Sequence, residues 1–327
     1  MISKIISCLC LLLIAVSAPA QKNSRPVIFD SDMGPDYDDV GAITLLHAFA
    51  DSGYVRILAT MASTKYEGVA AVFNVLNTYF KRPDLLIGVP KGKASELRDG
   101  QHWTDTLLAK YRHRIKRNDE AGDAVQLYRK LLASQPDRSV TIITVGFLTN
   151  LSALLQSTPD KYSKLNGKAL VKQKVKQLVC MAGSFPAGSE YNVRVDAAAS
   201  QFVFNNWETP VLFTGVEIGF KIATGLPLIH KESIKNSPVK DVFRICIPLN
   251  IQDSAGRMSW DQTAVLIAVK GYRPWYTIET GRMIVAADGS NTWSNESSTH
   301  SYIKEVQSPL VVQGIINSLM MHQPVRK

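Results

Sequence analysis

The chain has 327 residues, of which 46% are hydrophobic and 20% charged, with a formal net charge of +9. This length and apolar content suit a single large α/β enzyme with a substantial core. The basic residues are spread along the chain without an aromatic-interleaved basic patch, which argues against a nucleic-acid partner. Outside the N-terminal segment only Cys180 and Cys246 remain, so we expect two buried thiols, or at most one bridge, rather than a disulfide framework.

The first twenty residues are predicted to be a secretory signal peptide. A basic start is followed by the apolar run Ile5 to Val16 and by a small-residue cleavage pattern. This run is too short for a membrane span, and no later stretch approaches the roughly 20 apolar residues that a span needs. We therefore expect an exported, periplasmic or secreted protein with no membrane partner after cleavage, in which residues 21–327 form one domain.

Short β-rich runs alternate with helical patterns along the rest of the chain. The predicted strands are Pro26–Phe29, Val55–Met61, Leu85–Val89, Val140–Val145, Val175–Met181 and Pro210–Thr214. The predicted helices are Gly41–Ala50, Gly68–Phe80, Asp123–Ser134, Leu148–Ser157, Ala197–Asn205 and Asp261–Val269. The alternation predicts an α/β fold with a mostly parallel, Rossmann-like central sheet and helices on both faces. A helical or irregular segment from Thr224 to Arg257 and a β-rich tail from Tyr276 to Val306 complete the prediction.

Five aspartates follow the first predicted strand within ten residues: Asp30, Asp32, Asp36, Asp38 and Asp39. Adjacent like charges raise one another's pKa, so these carboxylates need positive charge among them to stay ionised in a partly buried loop. A hard divalent cation with oxygen ligands is the simplest source of that charge. The alternative is a solvated acidic turn that caps the following helix, where Asp38 or Asp39 would favour the helix dipole.

Polar residues also follow the later strands, and ligands gather at the carboxyl ends of strands in a parallel sheet. These residues are Thr64 with Lys65 and Tyr66, the turn Gly146-Phe-Leu-Thr-Asn150, the triplet Glu190-Tyr-Asn192, and Asp261 at the start of a late helix. Taken singly, each is as compatible with a loop residue or a helix cap as with a binding residue. Their order along the chain is more specific than any one of them.

In this ordered set the chain resembles the nucleoside hydrolase family, the inosine-uridine preferring nucleoside N-ribohydrolases, as a divergent exported member. The resemblance runs from about Pro26 to the end of the helix after Asp261. Its motifs are Asp30-Ser-Asp32-Met-Gly34, the pair Asp38-Asp39, the Gly146 turn, the Glu190 triplet and Asp261. It implies hydrolysis of the N-glycosidic bond of a small nucleoside or related riboside, releasing ribose and base, and assembly as a homodimer or homotetramer.

The resemblance also implies a role for each matching residue. The implied ligands of a Ca²⁺ ion are Asp32, Asp39, Asp261 and the backbone carbonyl of Val145. The residues implied to hold the ribose are Asp38, Glu190 and Asn192, with Asp30 supporting the loop. Cleavage gives the sugar oxocarbenium character, which anionic groups favour. A water held by the ion beside a carboxylate is easier to deprotonate, so Asp32 is the predicted general base.

Three departures from the family pattern bear on the substrate. The insertion Pro35-Asp36-Tyr37 stands where the family usually has one residue. Thr64 stands where the family commonly has an Asn that contacts the ribose. Trp260 replaces a His that often helps the leaving base, and an indole cannot deliver a proton as imidazole can. Trp260 is then either a packing residue or a surface on which the base stacks, and leaving-group activation falls to another residue, to solvent or to such stacking.

Two other functions stay open at this point. A metal-dependent phosphohydrolase would use the first Asp of the Asp30-Ser-Asp32 motif as nucleophile, but Lys65 with Thr60 or Thr144 serves its phosphate site only loosely. A non-catalytic exported nucleoside or sugar binder would explain the absence of the His at position 260. The presence of every expected carboxylate ligand argues against such a decayed enzyme.

Overall fold

A computed structural model of the chain describes residues 24–296 and 299–324. The strands are β1 (Arg25–Ser31), β2 (Val55–Ala62), β3 (Leu86–Val89), β4 (Gly122–Asp123), β5 (Val140–Thr144), β6 (Val175–Cys180), β7 (Ala187–Ser189), β8 (Val211–Phe213), β9 (Ala223–Thr224), β10 (Arg257–Met258), β11 (Tyr276–Val285), β12 (Ser290–Ser294) and β13 (His300–Glu305). The predicted signal peptide, residues 1–20, lies outside the described residues.

Helices cover most of the connections between these strands. They are α1 (Asp38–Asp51), α2 (Val69–Tyr79), α3 (Trp103–Lys110), α4 (Ala124–Ala133), α5 (Thr149–Gln156), α6 (Gly167–Lys174), α7 (Tyr191–Val195), α8 (Ala197–Asn206), α9 (Val216–Gly219), α10 (Leu226–His230), α11 (Pro238–Cys246), α12 (Trp260–Lys270) and α13 (Pro309–Met320). Short 3₁₀ helices lie at Asn118–Glu120, Ile247–Leu249 and Ile251–Asp253. No helix in the described part of the chain has both the length and the apolar character that crossing a membrane requires.

Most strands join one large sheet in the order β4-β3-β2-β1-β5-β6-β8-β13-β11-β12-β7. The pairs from β4 to β13 are parallel, and those among β13, β11, β12 and β7 are antiparallel. The predicted α/β class with a mostly parallel sheet is therefore confirmed. All six predicted strands are present, with ends displaced by at most two residues.

The sheet is covered on both faces, because successive side chains of a strand point to opposite sides. In β1, Val27 and Phe29 join the core with helices α1, α2 and α12, whereas Ile28 joins the core with α4, α5, α6 and α8. All five residues of β5 are buried, as expected for a central parallel strand. Cys180 and Cys246 are free and buried, so the bridge that the sequence left open is absent.

The strand register aligns the chain segments that carry the polar motifs. Beyond the strand ends, Val145 N–H donates to the Asp30 carbonyl at 2.8 Å and Met181 N–H donates to the Thr144 carbonyl at 2.9 Å. The carboxyl ends of β1, β5 and β6 therefore lie side by side at one edge of the sheet. The loops that follow them meet there, as ligand-binding loops do in open α/β sheets.

Candidate active site

A cavity of about 300 Å³ opens at this edge of the sheet. Among the predicted site residues, those that line it are Asp32, Asp38, Val145, Glu190, Asn192, Trp260 and Asp261. They come from loops after three strands and from the start of α12, far apart in sequence. The fold therefore brings most of the predicted set to one place.

Asp38, Asp39 and Asp261 form a buried acidic cluster at this cavity, each with a carboxylate oxygen within 4.8 Å of the others. Burial, together with the charge of Asp36, raises the pKa of Asp39 to about 7. Burial and neighbouring aspartates also raise the pKa of Asp38 and of Asp261 well above the usual carboxyl value. A cation between these groups would relieve the repulsion and keep them ionised.

Asp39 has the carboxylate oxygen in this cluster that is best suited to bind a ligand. The Ser31 hydroxyl donates to its Oδ1 at 2.5 Å, whereas its Oδ2 is buried and has no hydrogen-bond partner among the described residues. A buried carboxylate oxygen without a partner is costly. A hard cation such as Ca²⁺, which prefers carboxylate and carbonyl oxygens, would satisfy it. The donor set therefore fits the predicted ion.

Asp38 belongs to the same cluster, although the predicted ligand set has Asp32 instead. Both oxygens of Asp38 already accept hydrogen bonds, Oδ1 from Arg257 Nη2 at 3.1 Å and Oδ2 from the Asp261 N–H at 3.2 Å. Asp32 lies outside the tight trio but lines the cavity, and burial followed by the charge of Asp39 raises its pKa well above normal. Glycine at position 146 makes this packing possible, because a Cβ there would lie 2.8 Å from Oδ1 of Asp32.

Arg257 is the principal site residue that the sequence motifs do not reveal. Its buried guanidinium forms ion pairs with Asp36, with Asp38 at 3.1 Å and with Asp253 at 3.7 Å. Part of the positive charge that the aspartate loop needs therefore comes from the protein itself. The sequence interpretation considered only a metal ion, because no pattern marks an arginine more than 200 residues downstream as the partner of this loop.

The inserted residues Pro35-Asp36-Tyr37 pack against the segment that carries Arg257. Although burial acts in the opposite direction, the charge of Arg257 lowers the pKa of Asp36. The buried Tyr37 hydroxyl donates to Asp253 Oδ2 at 2.6 Å, and the guanidinium lies 4.8 Å from the Tyr37 ring centroid. Cation–π contact of this kind stabilises a buried guanidinium. Within the insertion, Asp36 lines the cavity and the buried Tyr37 packs beside Arg257.

The predicted sugar-binding pair is held by the backbone around it. The Glu190 carboxylate caps α7 by accepting from the N–H groups of Asn192 at 2.8 Å, Val193 at 3.1 Å and Gly183 at 3.2 Å. Asn192 donates its side-chain amide to the Val145 carbonyl at 3.0 Å, the carbonyl predicted to be a metal ligand. Both side chains line the cavity in fixed orientations.

Thr64 is the predicted substrate residue that the structure places outside the cavity lining. Its buried hydroxyl donates to the Leu97 carbonyl at 3.2 Å and accepts from the Tyr66 N–H at 3.4 Å. These bonds connect the Thr64 hydroxyl to the segment between β3 and α3 and to its own loop after β2. Asp39 also lies behind the lining, where it joins the acidic cluster.

Trp260 forms part of the cavity wall, but its polar atom is already used. The indole N–H donates to the Val216 carbonyl at 2.8 Å, so it has no proton to offer a ligand. The ring is partly exposed and available as a flat surface. Six further wall residues were not predicted, because none of them is a motif position to which the resemblance gives a role: Met181, Ser189, Tyr191, Val216, Gln252 and Met258.

Asp30 and Glu190 are buried carboxyl groups outside the acidic cluster, and we expect them to make the stability of the protein depend on pH when no cation is bound. Burial raises the pKa of Asp30 to about 7 against hydrogen bonds from Tyr128 and Asn150, and it raises the pKa of Glu190 to about 7 against its backbone bonds. The folded state binds these protons more tightly than the unfolded state, in which a carboxyl pKa is about 4. The two groups therefore contribute their full stabilisation below about pH 4, and this stabilisation is lost as the pH rises through about 7. We expect the melting temperature in chelator to fall between pH 5 and pH 8.

Thermal unfolding of the protein and of Glu190→Gln across this range checks the expectation. The variant cannot ionise at that position, so its melting temperature should fall less steeply with pH. Equal slopes for the two proteins would show that Glu190 does not titrate with a raised pKa.

Comparisons with known proteins identify a family and relatives that this chain resembles in sequence. A sequence profile of the family described as inosine-uridine preferring nucleoside hydrolase matches residues 27–312. The chain is 30% identical over 230 residues to the pyrimidine-specific ribonucleoside hydrolase RihA of Salmonella agona (strain SL483), covering 66% of this chain and 68% of that protein.

Solved structures with the same fold are much less similar in sequence. A purine-preferring ribonucleoside hydrolase from Gardnerella vaginalis superposes with a TM-score of 0.70 at 16% identity, covering 91% of this chain and 99% of its own. An inosine-uridine preferring nucleoside hydrolase from Bacillus anthracis gives a TM-score of 0.68 at 14% identity, with the same coverage of both chains. At such identities the structural likeness shows the fold alone.

Proposed function

The chain belongs to the inosine-uridine preferring nucleoside hydrolase family, and from that premise we propose that it is a Ca²⁺-dependent enzyme in which Asp32 activates the attacking water. Membership makes the protein a nucleoside N-ribohydrolase, which splits an N-glycosidic bond into ribose and base. The phosphohydrolase interpretation is therefore not retained. The observation that carries the finer proposal is the buried cluster of Asp38, Asp39 and Asp261 around the unpartnered oxygen of Asp39.

The residues proposed to hold the ion are Asp32, Asp39, Asp261 and the Val145 carbonyl. Asp38 is the less suitable ligand, since its two oxygens are engaged by Arg257 and by the Asp261 N–H. When bound, Ca²⁺ would supply the positive charge that keeps the carboxylates ionised and would polarise the oxygens around it. Instead of binding the ion, Asp38 is proposed to accept a hydrogen bond from a ribose hydroxyl, in addition to the one from Arg257.

The side chains that line the cavity carry out the proposed reaction. The Asp32 carboxylate accepts a proton from water as that water attacks the anomeric carbon. Glu190 and Asn192, fixed by backbone hydrogen bonds, orient the sugar without reorganising during the reaction. The surrounding carboxylates favour the positive charge that develops on the sugar ring over the neutral ground state. A cavity of about 300 Å³ is within the range of small-molecule sites.

Ribose release provides the test of this function and of its dependence on a cation. The mature protein is incubated with a panel of nucleosides, with 4-nitrophenyl riboside and with an aryl phosphate, in Ca²⁺ or in excess chelator. We expect ribose from the ribosides, loss of that activity in chelator, and recovery when Ca²⁺ is restored. Chelator already saturated with Ca²⁺ is the control for effects of the chelator itself.

The outcomes separate the parts of the proposal. Ribose release that survives the chelator would contradict the Ca²⁺ requirement while leaving the hydrolase in place. Nucleoside binding without ribose under any condition would contradict the catalytic function. Phosphate release without ribose would revive the phosphohydrolase interpretation.

We also propose that the protein acts after export, as a periplasmic or secreted homodimer or homotetramer whose signal peptide comprises residues 1–20. The N-terminal pattern of the sequence supports the export proposal. N-terminal sequencing of the exported protein would locate the cleavage, and light scattering after size-exclusion chromatography would give the oligomeric state.

A further inference from the structure

We propose that Arg257 activates the leaving base by placing a permanent cation against the oxygen on which the departing base carries its negative charge. The inference rests on the proposed hydrolase function and assigns to this chain a catalytic residue for the leaving-group half of the reaction.

The position of Arg257 in the cavity is the first observation. The cavity has an acidic part, lined by Asp32, Asp38 and Asp261, and a second part lined by Gln252, Arg257, Met258 and Trp260. A ribose held at the acidic part must direct its base toward the remaining walls. The guanidinium of Arg257 lies 3.1 Å from Asp38, the carboxylate proposed to hold a ribose hydroxyl, so it is within reach of a base attached to that ribose.

The hydrogen bonds that Arg257 makes to its acidic partners do not use all the N–H groups of its guanidinium. Nε donates to Asp38, and Nη2 donates to Asp36 and Asp38. Nη1 has no hydrogen bond to any described residue, and its ion-pair partner Asp253 is 3.7 Å away. A guanidinium carries five N–H groups in a planar fork. Arg257 can therefore hold its structural partners and still donate to a ligand oxygen.

The same wall offers no other cation for this task. Trp260 donates its indole N–H to Val216, and no histidine or lysine lines the cavity among the described residues. Apart from the carboxyl groups assigned to the ion and to the ribose, Tyr191 is the acidic side chain in the described cavity wall, and burial followed by the charge of Asp32 raises its pKa above the usual phenol value. A phenol made less acidic is a poorer proton donor to a leaving group.

In the proposed step the leaving base needs no proton from an acidic side chain of the protein. The bond between the anomeric carbon and the base nitrogen breaks, and its electron pair passes to the base. In a base such as uracil or hypoxanthine the resulting charge spreads onto an exocyclic carbonyl oxygen, which accepts from Nη1 of Arg257. Water supplies the hydroxyl that bonds to the sugar, and its proton goes to Asp32. That proton then leaves to solvent, and the base anion takes one proton from solvent.

The test compares a nucleoside with 4-nitrophenyl riboside, whose phenolate leaves without assistance. The observable is the ratio of kcat/KM for uridine or inosine to kcat/KM for the aryl riboside, because losses of folded protein, bound ion or ribose affinity cancel in it. We expect Arg257→Gln to lower this ratio about 100-fold, the usual cost of removing a donor to a developing anion. Arg257→Lys keeps the buried charge and should fold, but it lacks the planar fork, so we expect about a tenfold decrease.

Arg129→Lys is the matched control, because Arg129 is a buried arginine paired with Asp160 at 2.8 Å outside the cavity lining. Its ratio should equal that of the unmodified protein. Equal losses on both substrates in the Arg257 variants, or a decrease in the ratio caused by Tyr191→Phe instead, would overturn the assignment. If the unmodified protein released no ribose from either substrate, the proposed function itself would fail, which is a distinguishable result.

Discussion

Replacement of Asp32 by asparagine is expected to lower kcat for ribose release by about 1000-fold, within the range that general-base catalysis contributes. The amide keeps one oxygen at the cavity wall but cannot accept the proton of the attacking water. Single-turnover ribose release at saturating nucleoside measures the chemical step. Titration calorimetry with Ca²⁺ on the same variant shows how much of the loss comes from weakened ion binding.

Asp99→Asn is a matched control for this substitution. Asp99 is also buried, and it accepts from the Thr104 N–H in the first turn of α3 at 2.9 Å, away from the cavity lining. We expect its kcat to stay within a few-fold of that of the unmodified protein. A kcat for Asp32→Asn within tenfold of normal, with Ca²⁺ still bound, would show that Asp32 is not the base.

Replacement of Asp39 by asparagine is expected to stabilise the cation-free protein while abolishing its stabilisation by Ca²⁺. The Ser31 hydroxyl can still donate to Oδ1, and the new amide group would lie near the carboxylates of Asp38 and Asp261, to which it can donate. Removal of an unpartnered buried carboxylate oxygen should raise the free energy of unfolding in chelator by roughly 1–3 kcal/mol. The same change removes the ligand whose free oxygen favours the ion.

Denaturant unfolding with and without Ca²⁺ checks both halves of this expectation. The unmodified protein should gain about 2.7 kcal/mol at a Ca²⁺ concentration 100 times its Kd, whereas Asp39→Asn should gain almost nothing. Asp99→Asn again serves as the control, with an unchanged Ca²⁺ response. A variant that is destabilised in chelator and still stabilised by Ca²⁺ would refute the role given to Asp39.

Arg257 and the proposed metal ion would each neutralise a different part of the acidic site. The aspartate loop holds several carboxylates in a buried position, and Arg257 neutralises part of their charge through ion pairs with Asp36 and Asp38. Asp39 and Asp261 form no ion pair with a cationic side chain among the described residues, and burial together with neighbouring aspartates raises the pKa of both. This division explains why a chain with its own buried cation still has a site suited to a metal ion.

Several features of this protein follow from local sequence alone. The strands are predicted from short β-rich runs such as Val140–Thr144, because a central parallel strand is buried on both faces and does not alternate apolar with charged residues. Helix α1 was predicted about one turn short, because Asp38 and Asp39 were assigned to the loop rather than to its first turn. The order of the motifs also predicted the family, which the profile match over residues 27–312 confirms.

Tertiary structure decided which polar residues meet and what each is free to do. Helix α13 was not predicted, and the β-rich tail became an antiparallel extension whose pairing depends on partners far along the chain. Thr64 stands where the family commonly has an Asn that contacts the ribose, yet its hydroxyl bonds to the Leu97 carbonyl. Arg257 matches no motif, yet folding places it against the aspartate loop.

The sequence by itself determined the α/β sheet, the family and the acidic residues at the strand ends, because hydrophobic periodicity and motif order are local properties of the chain. Only the tertiary structure decided that Arg257 shares the charge of the loop and that Asp39 retains the unpartnered oxygen. The physical reason is that burial and long-range contacts set a carboxylate's pKa and its free hydrogen-bonding capacity, and neither is encoded by the neighbouring residues.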